Sequence, residues 1–149
     1  MLAGKERLAN FLKALCDVGI IDFDKRLFKH RLKLQKYVYI ARKFGFATDY
    51  NYSLYIHGPY SSSLAHDYYK LNDFKGIEPI PLNPQFVKLV KNKSDEWLEL
   101  AATILMIRGR YANIDDDKLI DLVITVKPFA KNAYLMEIVR SLEAHNCLD

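Results

Sequence analysis

His57, the serines Ser61, Ser62 and Ser63, and Asp67 crowd into one short segment. Together they supply the side-chain types of a base, a nucleophile and a carboxylate. A hydrolytic triad also needs a strained elbow beneath the nucleophile and backbone donors for the oxyanion. Neither is legible around Gly58-Pro59-Tyr60-Ser61. Serines ahead of an apolar run are better read as caps that accept the free N–H groups of a first helical turn. His57, His66 and Asp67 match no zinc spacing, and no cysteine lies nearby. Asp115, Asp116 and Asp117 read as an N-cap with favourable first-turn charge, not as a calcium loop. The chain has no phosphate loop, GxGxxG, HExxH or EF-hand pattern. The sequence therefore assigns no catalytic residue, no metal site and no cofactor, and the expectation is a protein that is not an enzyme.

Chemistry of binding is better represented. Residues 24–49 carry eight basic side chains against Asp24 and Asp49, whereas residues 94–149 carry six basic and ten acidic ones. A basic block invites phosphate or an acidic partner. The alternative is that the two ends neutralise each other within the fold or across a homodimer. Arg26, Lys29, Lys33, Lys36 and Lys43 follow helical spacing, which predicts a cationic stripe along one helix face. Eight of the ten tyrosines fall between Tyr37 and Tyr69, beside that stripe. Tyrosine stacks on bases and on partner side chains while its hydroxyl stays wet. Tyr37, Tyr50 and Tyr52 lie on apolar faces and are assigned to the core. Tyr39, Tyr55, Tyr60 and Tyr69 are expected to be freer.

The elements that must position these residues follow from periodicity. A first helix is predicted from about Lys5 to Val18, ended by Gly19. A long second helix runs from Asp24 or Lys25 to Phe44, with Asp24 as N-cap and Gly45 as terminator. Residues 50–57 alternate, placing Tyr50, Tyr52, Leu54 and Ile56 on the apolar face of a strand that Gly58-Pro59 breaks. A helix follows from Ser61 or Ser62 to Leu71. Residues 72–84, with three prolines, are read as a loop or edge strand, and 85–91 as a short strand or a helical turn. The segment from Ser94 to Arg108 is apolar on nearly all sides, which predicts the central buried helix. Asp115 caps another helix ending before Pro128, and a last one spans about Lys131 to Ala144. The expectation is one globular domain over 1–149, mainly α with a small strand or hairpin element.

Composition agrees. The chain has 149 residues, half of them hydrophobic and 27% charged, enough for a core without metals or disulfides. Cys16 and Cys147 are too few for a secreted disulfide scaffold, and the first residues lack the zones of a signal peptide. No apolar run approaches a membrane span. These features predict a cytoplasmic protein without a membrane partner.

Two segments carry a resemblance. Residues 33–45 read KLQKYVYIARKFG, and residues 54–71 read LYIHGPYSSSLAHDYYKL. A Lys-Leu-Gln-Lys helix segment, an aromatic strand, then Gly-Pro-Tyr-Ser and a short helix resemble the YwgA-like group of prokaryotic proteins. They are similar, more distantly, to the Panacea domain of toxin–antitoxin systems. The likeness covers about residues 30–71 and weakens through 94–128. It implies a small, winged-helix-like protein and carries over Lys33, Leu34, Gln35, Lys36, Gly58, Pro59, Tyr60 and Ser61 as motif positions. The chain departs from the pattern after Ser61, where Ser62-Ser63 replaces a common Pro-Glu pair. Gln35 is expected to hydrogen-bond the Gly58-Pro59-Tyr60 turn, as a lock between helix and loop or else as a ligand-facing group.

The leading expectation is a transcriptional regulator that binds nucleic acid through Arg26, Lys29, Lys33, Lys36 and Lys43. The alternative is a protein-interaction module of antitoxin or adaptor type, holding a partner such as a toxin. There the same surface would grip an acidic partner, or the acidic last third a basic one, with Gln35, Tyr55, His57, Gly58, Pro59, Tyr60 and Ser61 as partner or motif positions. An enzyme ranks third.

Overall fold

The computed structural model describes residues 4–148. Among these residues, seven α-helices and one antiparallel hairpin pack together around a continuous core. In chain order these are α1 (Gly4–Asp17), α2 (Phe28–Ala41), β1 (Ser53–Tyr55), β2 (Gly58–Tyr60), α3 (Ser62–Lys70), α4 (Pro84–Val90), α5 (Asp95–Arg110), α6 (Asp116–Val126) and α7 (Asn132–Ala144). The core takes side chains from all seven helices, including Leu8, Leu34, Leu64, Phe86, Leu98, Leu119 and Leu135. The mainly α architecture with a small β element is the one expected from periodicity.

Helix α5 is the axle. Every residue from Leu100 to Ile107 is buried, and the helix packs against α2, α6, α7 and β2. Ser94 opens it by accepting from the Trp97 N–H, and Asp95 and Glu96 sit at its positive end. Asp115 caps α6 through the Lys118 N–H, and Ser61 caps α3 through the Leu64 N–H. Residues 85–91 are resolved as helix: Asn83 caps the Gln85 N–H and Pro84 takes the first turn, where its missing donor costs nothing.

Two boundaries differ from expectation. Helix α2 starts at Phe28, and Asp24 does not cap it. Asp24 instead closes a local turn, accepting from the Arg26 backbone N–H and from its guanidinium. Lys25 reaches across to the carbonyls of Tyr69 and Leu71, tying this turn to the end of α3. At its other end α2 tightens into a 3-10 turn, Arg42–Phe44, before Gly45 at φ +93° stops it.

The second difference is the hairpin. Gly58-Pro59 does not break a strand but begins the returning one, with Tyr55 opposite Gly58 and Leu54 opposite Pro59. A sheet of two strands is all edge, so a proline without an N–H is tolerated. Ile56 and His57 form the two-residue tip. Ile56 therefore leaves the apolar face assigned to it and points to solvent, 85% exposed.

Candidate functional site

The five cations of the expected stripe do not stand together. Arg26 is outside α2, and its guanidinium is paired with Asp24 at 2.9 Å. Arg26 in turn holds the Asp24 carboxyl at about 2, by hydrogen bonds from guanidinium and backbone. Lys33 lies 3.5 Å from Asp95 at the start of α5. Lys36 is 2% exposed. Lys29, in the first turn of α2, and Lys43, in the 3-10 turn, are exposed. Of the five, Lys29, Lys33 and Lys36 lie within α2, whereas Arg26 precedes it and Lys43 follows it in the 3-10 turn. What overturns the stripe is that α2 has a second covered face. The hairpin and α5 pack there, over Lys36.

That covered face is a charged clamp. The Lys36 Nζ donates to the Pro59 carbonyl at 3.0 Å. Lys127, just after α6 and 3% exposed, donates to the Ile56 carbonyl and pairs with Glu99 Oε2 at 3.0 Å. The other oxygen of Glu99 lies 3.4 Å from His57 Nδ1. One carboxylate from α5 thus sits among two buried ammonium groups and an imidazole, beneath the hairpin tip. Burial pushes the Lys36 ammonium down to about 8, with Glu99 opposing the shift and Lys127 adding to it.

The motif residues form the second half of the clamp. The Gln35 Nε2 donates to the Ser61 carbonyl at 2.9 Å, and the Ser61 N–H donates to Gln35 Oε1 at 2.8 Å. All these atoms are buried, so the amide saturates a backbone pair that water cannot reach. The bond falls one residue beyond the turn expected to receive it, and the geometry is that of the lock. Gly58, at φ +88°, lets the strand press onto α5: a Cβ there would lie 3.1 Å from Thr103 Oγ1 and 3.3 Å from the Glu99 carbonyl. Glycine is the residue that accepts both the backbone angle and the approach.

Side chains suggestive of catalysis are dispersed. His57 turns to Glu99, Asp67 accepts from the Tyr50 hydroxyl at 2.6 Å, and Ser61 is committed to its cap and to Ser63. Among the described residues no group of three or more His, Cys, Asp or Glu gathers as a metal site. No helix among them is long and apolar enough to cross a membrane.

Apolar side chains gather where the hairpin meets the start of α2. Tyr55 is 56% exposed, as is Phe28 on the first turn of α2. Tyr60 is half-buried, its ring edge-on to Tyr55 at 5.5 Å, and Phe28 meets the His57 ring edge-on at 5.8 Å. With Leu32, and with Lys36 and Gly58 of the clamp, these residues line an open cleft of about 200 Å³ between α2 and the hairpin. Of the remaining tyrosines, Tyr37 is buried, while Tyr39 is half-buried under the Arg42 guanidinium and Tyr69 is exposed. Glu99 and Lys127 were missed by sequence reasoning. Glu99 did leave a trace: it is a lone charge inside the apolar run Leu98 to Ile107, and a buried charge requires a partner.

The class defined by fold and site is thus a helical domain that locks a two-stranded hairpin and presents its tip. No family model matches the chain, nor does any curated protein or solved structure.

Proposed function

We propose that the chain is a protein-interaction module, of the adaptor or antitoxin kind, that docks a partner through its hairpin tip. The observation that carries this reading is Ile56: a large apolar side chain 85% exposed, on a hairpin whose inner side is held by Lys36, Lys127 and Gln35. Exposed apolar side chains scattered singly need no explanation, but Ile56, Tyr55 and Phe28 stand around one cleft. Aromatic and aliphatic anchors held in place before binding lose little freedom on docking. The resemblance of the Lys-Leu-Gln-Lys and Gly-Pro-Tyr-Ser segments to the YwgA-like group and the Panacea domain supports the same reading.

Nucleic-acid binding is the second reading, and it rests now on Lys29 and Lys43 rather than on five cations. Affinity capture from the source cell with wild type and Ile56→Asp, beside gel shifts of random duplex DNA and RNA at low salt, separates the two. Docking by the tip predicts a partner retained by wild type and lost by the variant, with no gel shift. A shift that weakens steeply with salt, together with unchanged capture by Ile56→Asp, would contradict it.

A further inference from the structure

A second cleft, remote from the hairpin, has the makings of a ligand site. It lies between α1, the turn that ends α2 and the segment leading into α4, with a volume of about 270 Å³. Phe11, Phe44, Phe46 and Phe86 line it, with Arg7 beside them. Phe11 and Phe46 stack at 4.3 Å, nearly parallel, and Phe86 sits tilted against both Phe11 and Phe44. The wall formed by Ile80, Pro81 and Leu82 is pinned in place, since the Ile80 N–H donates to the Asn10 carbonyl. Phe11, Phe46 and Phe86 are buried and form the floor of the cleft, while half-buried Phe44 and the wall of Ile80, Pro81 and Leu82 offer its open apolar surface.

Arg7 supplies the polar element. Its guanidinium lies over the Phe46 ring at 5.1 Å from the centroid. Its Nε is buried without a hydrogen-bond partner. Among the described residues no carboxylate pairs with it. Arginine keeps its charge at any physiological pH. A guanidinium partly stripped of water and left without an anion gains more from one than a fully hydrated cation does. An apolar floor and wall and one unpaired cation fit a ligand with a flat apolar body and a single negative head. The volume, below the roughly 300–1,000 Å³ of drug-sized sites, selects a small one.

We propose that this cleft binds a small aromatic carboxylic acid, with the carboxylate on Arg7 and the ring against Phe44 and the wall of Ile80, Pro81 and Leu82, over the floor of Phe11, Phe46 and Phe86. The site shares no residue with the hairpin and does not depend on the docking reading. The test is an NMR titration of the full chain with phenylacetate and, in parallel, with neutral 2-phenylethanol. Expected are saturable shifts around Phe11, Phe44, Phe46 and Phe86, with phenylacetate binding about tenfold more tightly than the alcohol. Arg7→Gln brings phenylacetate down to the level of the alcohol, while Arg7→Lys keeps part of the preference. Equal affinity for the two compounds in wild type, shifts centred elsewhere, or no saturation up to millimolar ligand each overturn the proposal. The wild-type comparison stands even if the variants fold poorly.

Discussion

The backbone of the hairpin and the side chains at its tip meet opposite chemistry. On the inner side, three long polar side chains from other elements reach backbone carbonyls: Lys36 to Pro59, Lys127 to Ile56 and Gln35 to Ser61. At the tip, Tyr55 and Ile56 expose apolar surface to water. Buried polar groups are the less ordinary of the two, and each here has a partner. These bonds fix a three-residue strand pair that is too short to hold itself, and they leave the tip side chains in solvent. Buried ion pairs add little net stability compared with apolar packing, but losing one member is expensive. The clamp is therefore read as a device for holding the hairpin in one geometry.

The largest effect that would sharpen this contrast is at Glu99. Replacing it with Ala leaves Lys36 and Lys127 buried without a counter-charge, and the expected loss is about 3–5 kcal/mol in urea unfolding. Gln35→Ala comes next, since it orphans the buried N–H of Ser61, whose carbonyl keeps the Ala65 N–H, at a cost of about 1–3 kcal/mol by the same measurement. Gly58→Ala combines a positive φ with a close approach to α5 and should cost about 1–3 kcal/mol. If any of these three is silent, the inner side is not a clamp.

A pH series probes the same side by a different route. Folded Lys36 loses its proton near pH 8, whereas an unfolded lysine keeps it to about 10.4. Between those values the unfolded chain binds more protons, so this group makes stability rise with pH across that window. The tyrosines act in the other direction. Tyr37 is pushed up to about 12 by burial, and Tyr50, Tyr52 and Tyr68 are raised as well. Their contribution is present below about pH 10 and is lost above it. Denaturant midpoints should therefore climb from pH 7 to about 9.5 and then fall, with Lys36→Met removing the climb and keeping the fall. The smallest expected effect belongs to the tip. Ile56→Asp should change stability by less than about 0.5 kcal/mol, because an exposed tip residue carries no packing. A large loss would mean that the tip serves the fold.

The contrast also explains what could be read in the sequence. Caps at Ser61, Ser94 and Asp115 were legible because a serine or aspartate ahead of an apolar run acts locally. The buried axle α5 was legible because its apolar residues leave no polar face. The lock through Gln35 was foreseeable, since a lone amide in such a helix needs partners. The stripe failed because periodicity reveals which residues share a face, not how many faces are covered. Lys29 and Lys43 are exposed, whereas a hairpin arriving from residues 53–60 covers Lys36. Asp24 failed as a cap because Arg26, two residues on, offered a stronger local partner. Ile56 failed as a core residue because alternation was carried past Tyr55 into a turn.

The most direct measurement is photo-crosslinking in the source cell, with a benzoyl-phenylalanine placed at position 56 in one variant and at position 43 in another. Docking by the tip predicts a discrete protein adduct from position 56 and none from position 43. Adducts to nucleic acid from position 43, with position 56 unreactive, would contradict it and restore the cationic reading.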